Sequence, residues 1–212
     1  MIMEIYERVI RGIRVYNFKR KIKNKDFSLF STNCNGGILL HDLGLRFNSS
    51  TINLWFEVKD FLKYMNNLER YSKLPLFFLE EEEKKLGYPV ALLGDGVKIY
   101  FQHYDSREEA EEKWRLRSER INYNNIFIMS TERDMCTYED LKNFDKLPYS
   151  NKVIFTRKKY PEIKSSFYIK SFEDKKEVGV LFKYRNKILM KRYYEDFDFI
   201  KWFNINLNKV KL

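Results

Sequence analysis

Apolar positions recur along the first twenty-odd residues at the spacing of a helix: Ile2, Ile5, Val9 and Ile13 lie on one face, widened by Tyr6, Ile10 and Tyr16. This predicts an amphipathic helix over about residues 3–23. The period then changes. Phe27–Ser31 is a short, nearly continuous apolar run that predicts a buried strand, and Leu54–Phe56 predicts a second. Phe61, Leu62, Met65 and Leu68 return to helical spacing behind Asp60, over Lys59–Tyr71. Tyr88–Leu93 and Val97–Tyr104 flank Gly94-Asp95-Gly96, the pattern of two strands joined by a tight turn. Ser106 followed by Glu109 is a capping box that opens a helix to about Arg120, and Thr137 followed by Asp140 opens another to about Lys146. Ile126–Met129, Val153–Thr156 and Ser166–Lys170 read as further strands. Over Phe182–Trp202 a helix from Ile188 to Phe203 competes with strands, because the segment is dense in aromatic residues.

Strands and helices alternate through most of the chain, so the expected fold is α/β: one layered domain over 25–212 with a mixed sheet flanked by helices, preceded by the basic helix of 1–24. Strands 27–31, 88–93, 97–104, 126–129 and 153–156 are expected to share that sheet. No Pro/Gly/Ser-rich linker divides the chain, and no internal repeat is present.

Composition fits this picture. Of 212 residues, 44% are hydrophobic and 17% aromatic, enough for a substantial core. No apolar run approaches the roughly 18–20 residues of a membrane span, and the N-terminus lacks a signal-peptide pattern, so a cytoplasmic location is expected. Cys34 and Cys136 give no disulfide framework, and two histidines without close Cys/His spacing predict no metal site. The net charge of +10 is concentrated at the start: residues 1–25 hold eight Lys/Arg against Glu4 and Glu7. The remainder is only mildly basic, so no nucleic-acid groove is indicated. Two readings of the basic helix compete. In the first, which is favoured, its apolar stripe packs on the domain and its basic face is solvated. In the second it lies peripherally on anionic lipid at the inner membrane face.

The chemistry concentrates at Ser31-Thr32-Asn33-Cys34-Asn35-Gly36-Gly37, where a strand stops and a short helical segment begins. A thiol there lies near unpaired backbone N–H groups and a positive helix end, both of which favour thiolate. The same corner can bind an anion instead, or Cys34 can simply be a small buried hydrophobe. Gly36 and Gly37 would permit close backbone approach and positive φ, and Asn33 and Asn35 would supply polar contacts to a substrate. His103 closes the strand 97–104 just before the Ser106 cap, where it is a candidate general base. An anchoring histidine is the plain alternative. His41 ranks below it. Arg133-Asp134 follows another strand and is a candidate anion clamp. Asp95 fits a turn, Trp114 and Arg117 fit packing, and Asn48–Thr51 is a polar turn of a kind that can contact a sugar. Asp196 and Asp198 match a metal-binding Asp-x-Asp in letters only.

The ordered string Ser31-Thr-Asn33-Cys34-Asn-Gly36-Gly37, Asp42-Leu-Gly-Leu, Asn48-Ser-Ser-Thr51, Asp60-Phe-Leu-Lys-Tyr64, Leu93-Gly-Asp95, His103-Tyr-Asp-Ser, Lys113-Trp114, Arg117, Arg120-Ile-Asn122, Arg133-Asp-Met-Cys-Thr137, Phe144-Asp-Lys-Leu-Pro148 and Asn151-Lys-Val-Ile-Phe-Thr156 resembles a bacterial family of unknown biochemical function. Its members are labelled exopolysaccharide-biosynthesis proteins and sometimes acetyltransferases. The resemblance covers about residues 25–172. In the family pattern a bulky residue often follows the Cys, and a Pro often stands where this chain has Ser50. The resemblance implies an α/β domain and a setting in surface-polysaccharide or capsule assembly, and names no cofactor. The expectation is therefore a cytoplasmic transferase, acyl or glycosyl, acting on a polysaccharide precursor or activated donor. Cys34 and His103 would be catalytic, with Asn33, Asn35, Gly36, Gly37, Arg133 and Asp134 binding substrate. The alternative is a non-catalytic glycan- or phosphate-binding module of a polysaccharide-assembly complex.

Overall fold

A computed structural model describes residues 2–205, with side chains from residue 4 onward. The fold is α/β, as the alternation predicts. Helix α1 (Ile2–Lys21) leads into strand β1 (Ser28–Ser31) and helix α2 (Asn35–Leu43). An inserted unit follows: α3 (Val58–Asn66), α4 (Leu68–Tyr71), β2 (Leu76–Phe78), α5 (Glu80–Leu86), β3 (Val90–Leu93) and β4 (Val97–Tyr100). The chain then returns through α6 (Arg107–Ser118), β5 (Ile126–Thr131), α7 (Tyr138–Asp145), β6 (Asn151–Thr156) and β7 (Ser166–Tyr168). It ends in a small hairpin, β8 (Tyr184–Asn186) and β9 (Lys191–Arg192), a 3-10 turn and α8 (Phe199–Asn204).

The expected shared sheet is divided. Strands β1, β5, β6 and β7 form a parallel sheet in the order β1-β5-β6-β7, whereas β2, β3 and β4 form a separate antiparallel sheet. The reason is local: the Gly94-Asp95-Gly96 turn pairs β3 with β4, with φ of 48° and 99° at the two glycines, and β3 takes β2 on its other edge. Segment 54–56, expected as a strand, stitches the two sheets together. Phe56 N donates to Thr32 O just beyond β1, and Trp55 pairs with Tyr100 at the end of β4 through two 3.0 Å bonds.

Both faces of the parallel sheet are covered, as side-chain alternation along its strands requires. Leu29, Phe127, Met129, Val153 and Phe155 pack with α2 and the aromatic C-terminal segment, including Phe199, Trp202 and Phe203. Phe30, Ile128 and Ile154 pack the other way, with α3, α6, α7 and the antiparallel sheet. The outer edge of β1 is closed by the turn at 48–51, in which Ser49, Ser50 and Thr51 are buried. Ser49 Oγ donates to Leu29 O, Ser31 N donates to Thr51 Oγ1, and Ser50 Oγ meets Tyr64 OH at 2.7 Å. These hydroxyls satisfy the backbone of an edge strand and are not presented to a sugar.

Helix α1 departs from the favoured reading. Its apolar stripe faces outward, with Ile5 58%, Val9 51%, Ile13 55% and Tyr16 60% exposed. Its inward face is held by Arg11 and Arg14. Arg11 pairs with Asp42 at 2.5 Å and with Glu195, and Arg14 bonds Glu195 through its Nε at 3.0 Å. Arg192 adds a 2.9 Å pair to Asp42, and Tyr194 OH donates to the same carboxylate. Burial, reinforced by Asp42, pushes the Tyr194 phenol well above its ordinary range, so it remains a donor there. Phe18 is half-buried against Phe199.

Candidate functional site

The parallel sheet ends, at its C-terminal edge, in a row of small polar side chains: Ser31 from β1 with Thr32 just after it, and Ser130 and Thr131 from β5, all buried. Thr32 Oγ1 lies 3.3 Å from Ser130 Oγ. Asn33 continues the row. Its Nδ2 donates to Thr131 Oγ1 at 2.9 Å, and its Oδ1 accepts the first helical N–H of α2, from Asn35, at 3.1 Å. Asn33 thus ties the helix start to the neighbouring strand, and Cys34 is held between the two anchored asparagines as the first residue of the turn, with Ile38 N donating to its carbonyl.

Gly36 and Gly37 are buried within α2, with helical φ, so the positive φ read from the sequence does not occur there. What they provide is closeness. A Cβ on Gly36 would stand 2.7 Å from Ser31 Cβ, and one on Gly37 would collide with Asn53 Oδ1. The pair therefore lets α2 press against β1 and Asn53, and it offers no open backbone surface to a substrate. Asn35 is equally enclosed, and its Oδ1 has no hydrogen-bond partner among the described residues.

His103 arrives from the antiparallel sheet. Strand β4 stops at Tyr100, earlier than the pattern suggested, and a tight turn follows in which Phe101 and Tyr104 are buried while Gln102 and His103 are exposed. Tyr104 N donates to Phe101 O at 3.1 Å, and Tyr104 OH donates to Ile52 O at 3.2 Å and accepts from the buried Arg117. Two buried aromatic residues thus pin a two-residue projection. Its imidazole Nε2 lies 3.1 Å from Cys34 Sγ. The two side chains do meet, although not by the route expected. Their strands belong to different sheets, and the Thr32–Phe56 and Trp55–Tyr100 bonds bring the sheet ends together.

Burial pushes the Cys34 thiol above its ordinary range, with a smaller opposing contribution from its own backbone N–H. This is opposite to the thiolate-favouring effect expected from the helix end. In the tautomer that leaves Nε2 its lone pair, the protonated thiol donates to that nitrogen. Such a pair can pass the thiol proton to the imidazole as Sγ attacks an electrophile. Cys136, the other cysteine, is pushed up to about 12 by burial and then by Asp140, Glu132 and Asp134, and it has no such base.

Arg133 and Asp134 lie on the loop after β5, at the same edge of the sheet. Asp134 accepts from Trp55 Nε1 at 3.2 Å and from Arg133 Nε at 2.9 Å, and Arg133 also lies 3.7 Å from Glu177. The guanidinium is shared between two carboxylates, and no hydrogen bond or ion pair among the described residues joins it to Cys34 or His103. Asp134 and Met135 take φ of 55° and 62°, and Met135 projects with 88% exposure. Trp55 is the residue the sequence pattern did not single out. Its backbone bonds Tyr100, its side chain bonds Asp134 and lies tilted against the Tyr100 ring with centroids 4.3 Å apart, and its neighbour bonds Thr32. Glu132 was also missed. It is buried and accepts from Arg157 N at 2.8 Å and Tyr160 OH at 2.9 Å, which makes it an anchor for the loops after β5 and β6.

The remaining candidates fall away from the site. His41 is exposed at the far end of α2. Asp95 closes its hairpin with Tyr71 and Lys63, and Asp196 pairs with Arg185 and Lys191 while Asp198 caps α8. Among the described residues no His/Cys/Asp/Glu group is arranged to hold a metal ion. A cavity of about 820 Å³ opens at the opposite, N-terminal edge of the parallel sheet, between residues 23–26, 122–126 and 148–151.

A family model described as a domain of unknown function, DUF1919, matches residues 5–204. The chain belongs to this family. The match extends past 25–172 at both ends, so α1 and the C-terminal hairpin are part of the DUF1919 unit. A protein of Haemophilus influenzae, described only as uncharacterized, is 46% identical over 186 residues, covering 88% of each chain. Neither description mentions exopolysaccharide, capsule or acetyl transfer. Among the described residues no helix is long and apolar enough to cross a membrane.

Proposed function

We propose that this DUF1919 protein is a transferase that uses Cys34 as a nucleophile and His103 as its general base, moving an acyl group onto a precursor of a surface polysaccharide in the cytoplasm. The observation that carries the chemistry is the 3.1 Å approach of Cys34 Sγ to His103 Nε2, two residues 69 positions apart delivered by two different sheets. The polysaccharide acceptor is taken from the family resemblance of the sequence. In the forward step His103 Nε2 takes the thiol proton while Sγ bonds to the acyl carbon, and the donor's leaving group departs with that proton. The resulting thioester is then attacked by an acceptor hydroxyl whose proton passes to His103, and the acyl–sulfur bond breaks to restore the thiol. Acyl transfer suits a thiol nucleophile better than glycosyl transfer does, because thioesters are reactive acyl donors. Anion recognition by Arg133 would require it to release Asp134 or Glu177, so its role in substrate binding is secondary.

One observation favours the non-catalytic reading, a glycan- or phosphate-binding module: burial disfavours the Cys34 thiolate. The two readings separate with p-nitrophenyl acetate as a generic acyl donor. The transferase reading expects an acetyl adduct on the Cys34 peptide by mass spectrometry, lost in Cys34→Ser and formed much more slowly in His103→Ala. Modification confined to surface lysines, unchanged in both variants, supports the module.

A further inference from the structure

Helix α1 is docked with its charged face inward. At about 100° per residue, Arg11, Arg14 and Phe18 point to the body of the protein, and Ile5, Val9, Ile13 and Tyr16 form a continuous outward stripe. Exposed apolar residues scattered singly need no explanation, but a stripe three turns long does. The stripe has an extension. The tip of the β8–β9 hairpin carries Ile188, 72% exposed, and Leu189, 54% exposed, and Tyr6 OH donates to Ile188 O at 2.7 Å, which fixes the tip beside the helix.

The charge along this helix is mostly positive, with Glu4 and Glu7 its two acidic residues. Arg11 and Arg14 are consumed by Asp42 and Glu195, but Arg8, Lys19, Arg20 and Lys21 remain exposed. Arg20 lies over the Tyr16 ring at 5.7 Å, at the C-terminal end of the stripe. The inward-facing network of Arg11, Asp42, Glu195 and Tyr194 fixes the presentation of the stripe, so it is displayed by the folded protein and does not depend on the helix detaching.

We propose that this face is a docking surface for an anionic phospholipid bilayer, with α1 lying in the plane of the headgroups and the Ile188–Leu189 tip inserted beside it. Apolar side chains flanked by lysine and arginine, with a tyrosine at the boundary, are matched to an interface that is apolar on one side and negatively charged at its surface. Charge chooses between this occupant and a second copy of the chain. Pairing two such helices would bring two sets of the same exposed cations together, whereas an anionic membrane neutralises them. The inference does not depend on Cys34 chemistry. Helix α2 nevertheless connects the two, since it starts at Cys34 and carries Asp42, the partner of Arg11, in its last turn.

The test is co-sedimentation of the full chain with vesicles of phosphatidylcholine alone and with added phosphatidylglycerol, across a salt series. The expected result is binding to the anionic vesicles at least about tenfold stronger than to neutral ones, weakening as salt rises. The double variant Ile5→Asp/Ile13→Asp and the double variant Arg8→Glu/Arg20→Glu should each abolish binding. Ile188→Asp should weaken it, and Cys34→Ser should leave it unchanged. All these positions are solvent-exposed except Cys34, and a thermal melt matching the parent confirms that the variants fold. Equal binding to neutral and anionic vesicles overturns the proposal. So does absence of binding, whether or not sedimentation velocity shows the chain self-associating through the same stripe.

Discussion

At one end of α2, Asp42 is enclosed by Arg11, Arg192 and Tyr194, with its side chain only 11% exposed. At the other end Cys34 faces the exposed imidazole of His103. Both are polar clusters assembled from segments far apart in the chain, and they differ in how many segments they tie together and in what their partners can do. Oδ2 of Asp42 alone gathers Arg11, Arg192 and Tyr194, which makes the carboxylate a fastener between α1, α2 and the C-terminal hairpin. The Cys34 thiol follows the anchored Asn33 and meets a group that could accept its proton. A buried ion cluster that ties three segments together holds a fold, and a thiol–imidazole pair at a sheet edge can do chemistry.

Removing one partner at each end of α2 should have unequal consequences. Asp42→Ala leaves Arg11 paired with Glu195 and Arg192 without its carboxylate in a largely buried site, and about 3 kcal/mol of stability should be lost. His103→Ala removes an exposed side chain and should cost less than about 0.5 kcal/mol. Denaturant melts of the two variants measure both. If His103→Ala destabilises as strongly as Asp42→Ala, the two ends are alike and His103 is an anchor.

A smaller effect is expected where α2 meets β1. Gly36→Ala places a methyl against Ser31 Cβ, and overpacking of this kind costs about 1–3 kcal/mol. The double change Gly36→Ala/Ser31→Gly should recover much of that loss in the same melts. No recovery would mean that the glycine is needed for a reason other than the close approach. The smallest effect is at the tie between strands. Thr131→Val deletes the acceptor of Asn33 Nδ2 and should cost about 1 kcal/mol. Because it also frees the turn that carries Cys34, its alkylation rate should shift while that of Cys136 does not.

Much of this contrast was legible in the residues and part was not. Cys34 and His103 each follow a strand and precede a capped or turn-like helix start, and that pattern is enough to place both at a sheet end. It did not reveal that the sheets are separate, because a tight Gly94-Asp95-Gly96 hairpin specifies pairing between β3 and β4 and says nothing about which strand lies beyond them. Trp55 escaped notice because its role is a backbone bridge, which carries no side-chain signature. The orientation of α1 was misread for a related reason. Helical spacing shows that a stripe exists, and apolar stripes usually face inward, but the choice was made by Glu195 and Asp42, which lie 184 and 31 residues from Arg11. Two buried ion pairs outweighed the burial of a moderately apolar face. The paired glycines were correctly read as a close approach and incorrectly as a source of positive φ, since a helix start needs only the first.

The proton-transfer pair is tested most directly by the rate of Cys34 alkylation with iodoacetamide as a function of pH, read peptide by peptide beside Cys136, in the parent and in His103→Ala. Burial raises the Cys34 thiol, so without a base its reactivity should climb only above the ordinary thiol range, and it should be low at neutral pH. With His103 taking the proton, Cys34 of the parent should react at pH 7.5 at least about tenfold faster than in His103→Ala, with the two profiles converging at high pH where hydroxide replaces the imidazole. Cys136, raised to about 12, should remain slow in both proteins. Superimposable profiles for Cys34 in the parent and the variant would contradict the account, and the 3.1 Å contact would then be a packing contact between two unreactive groups.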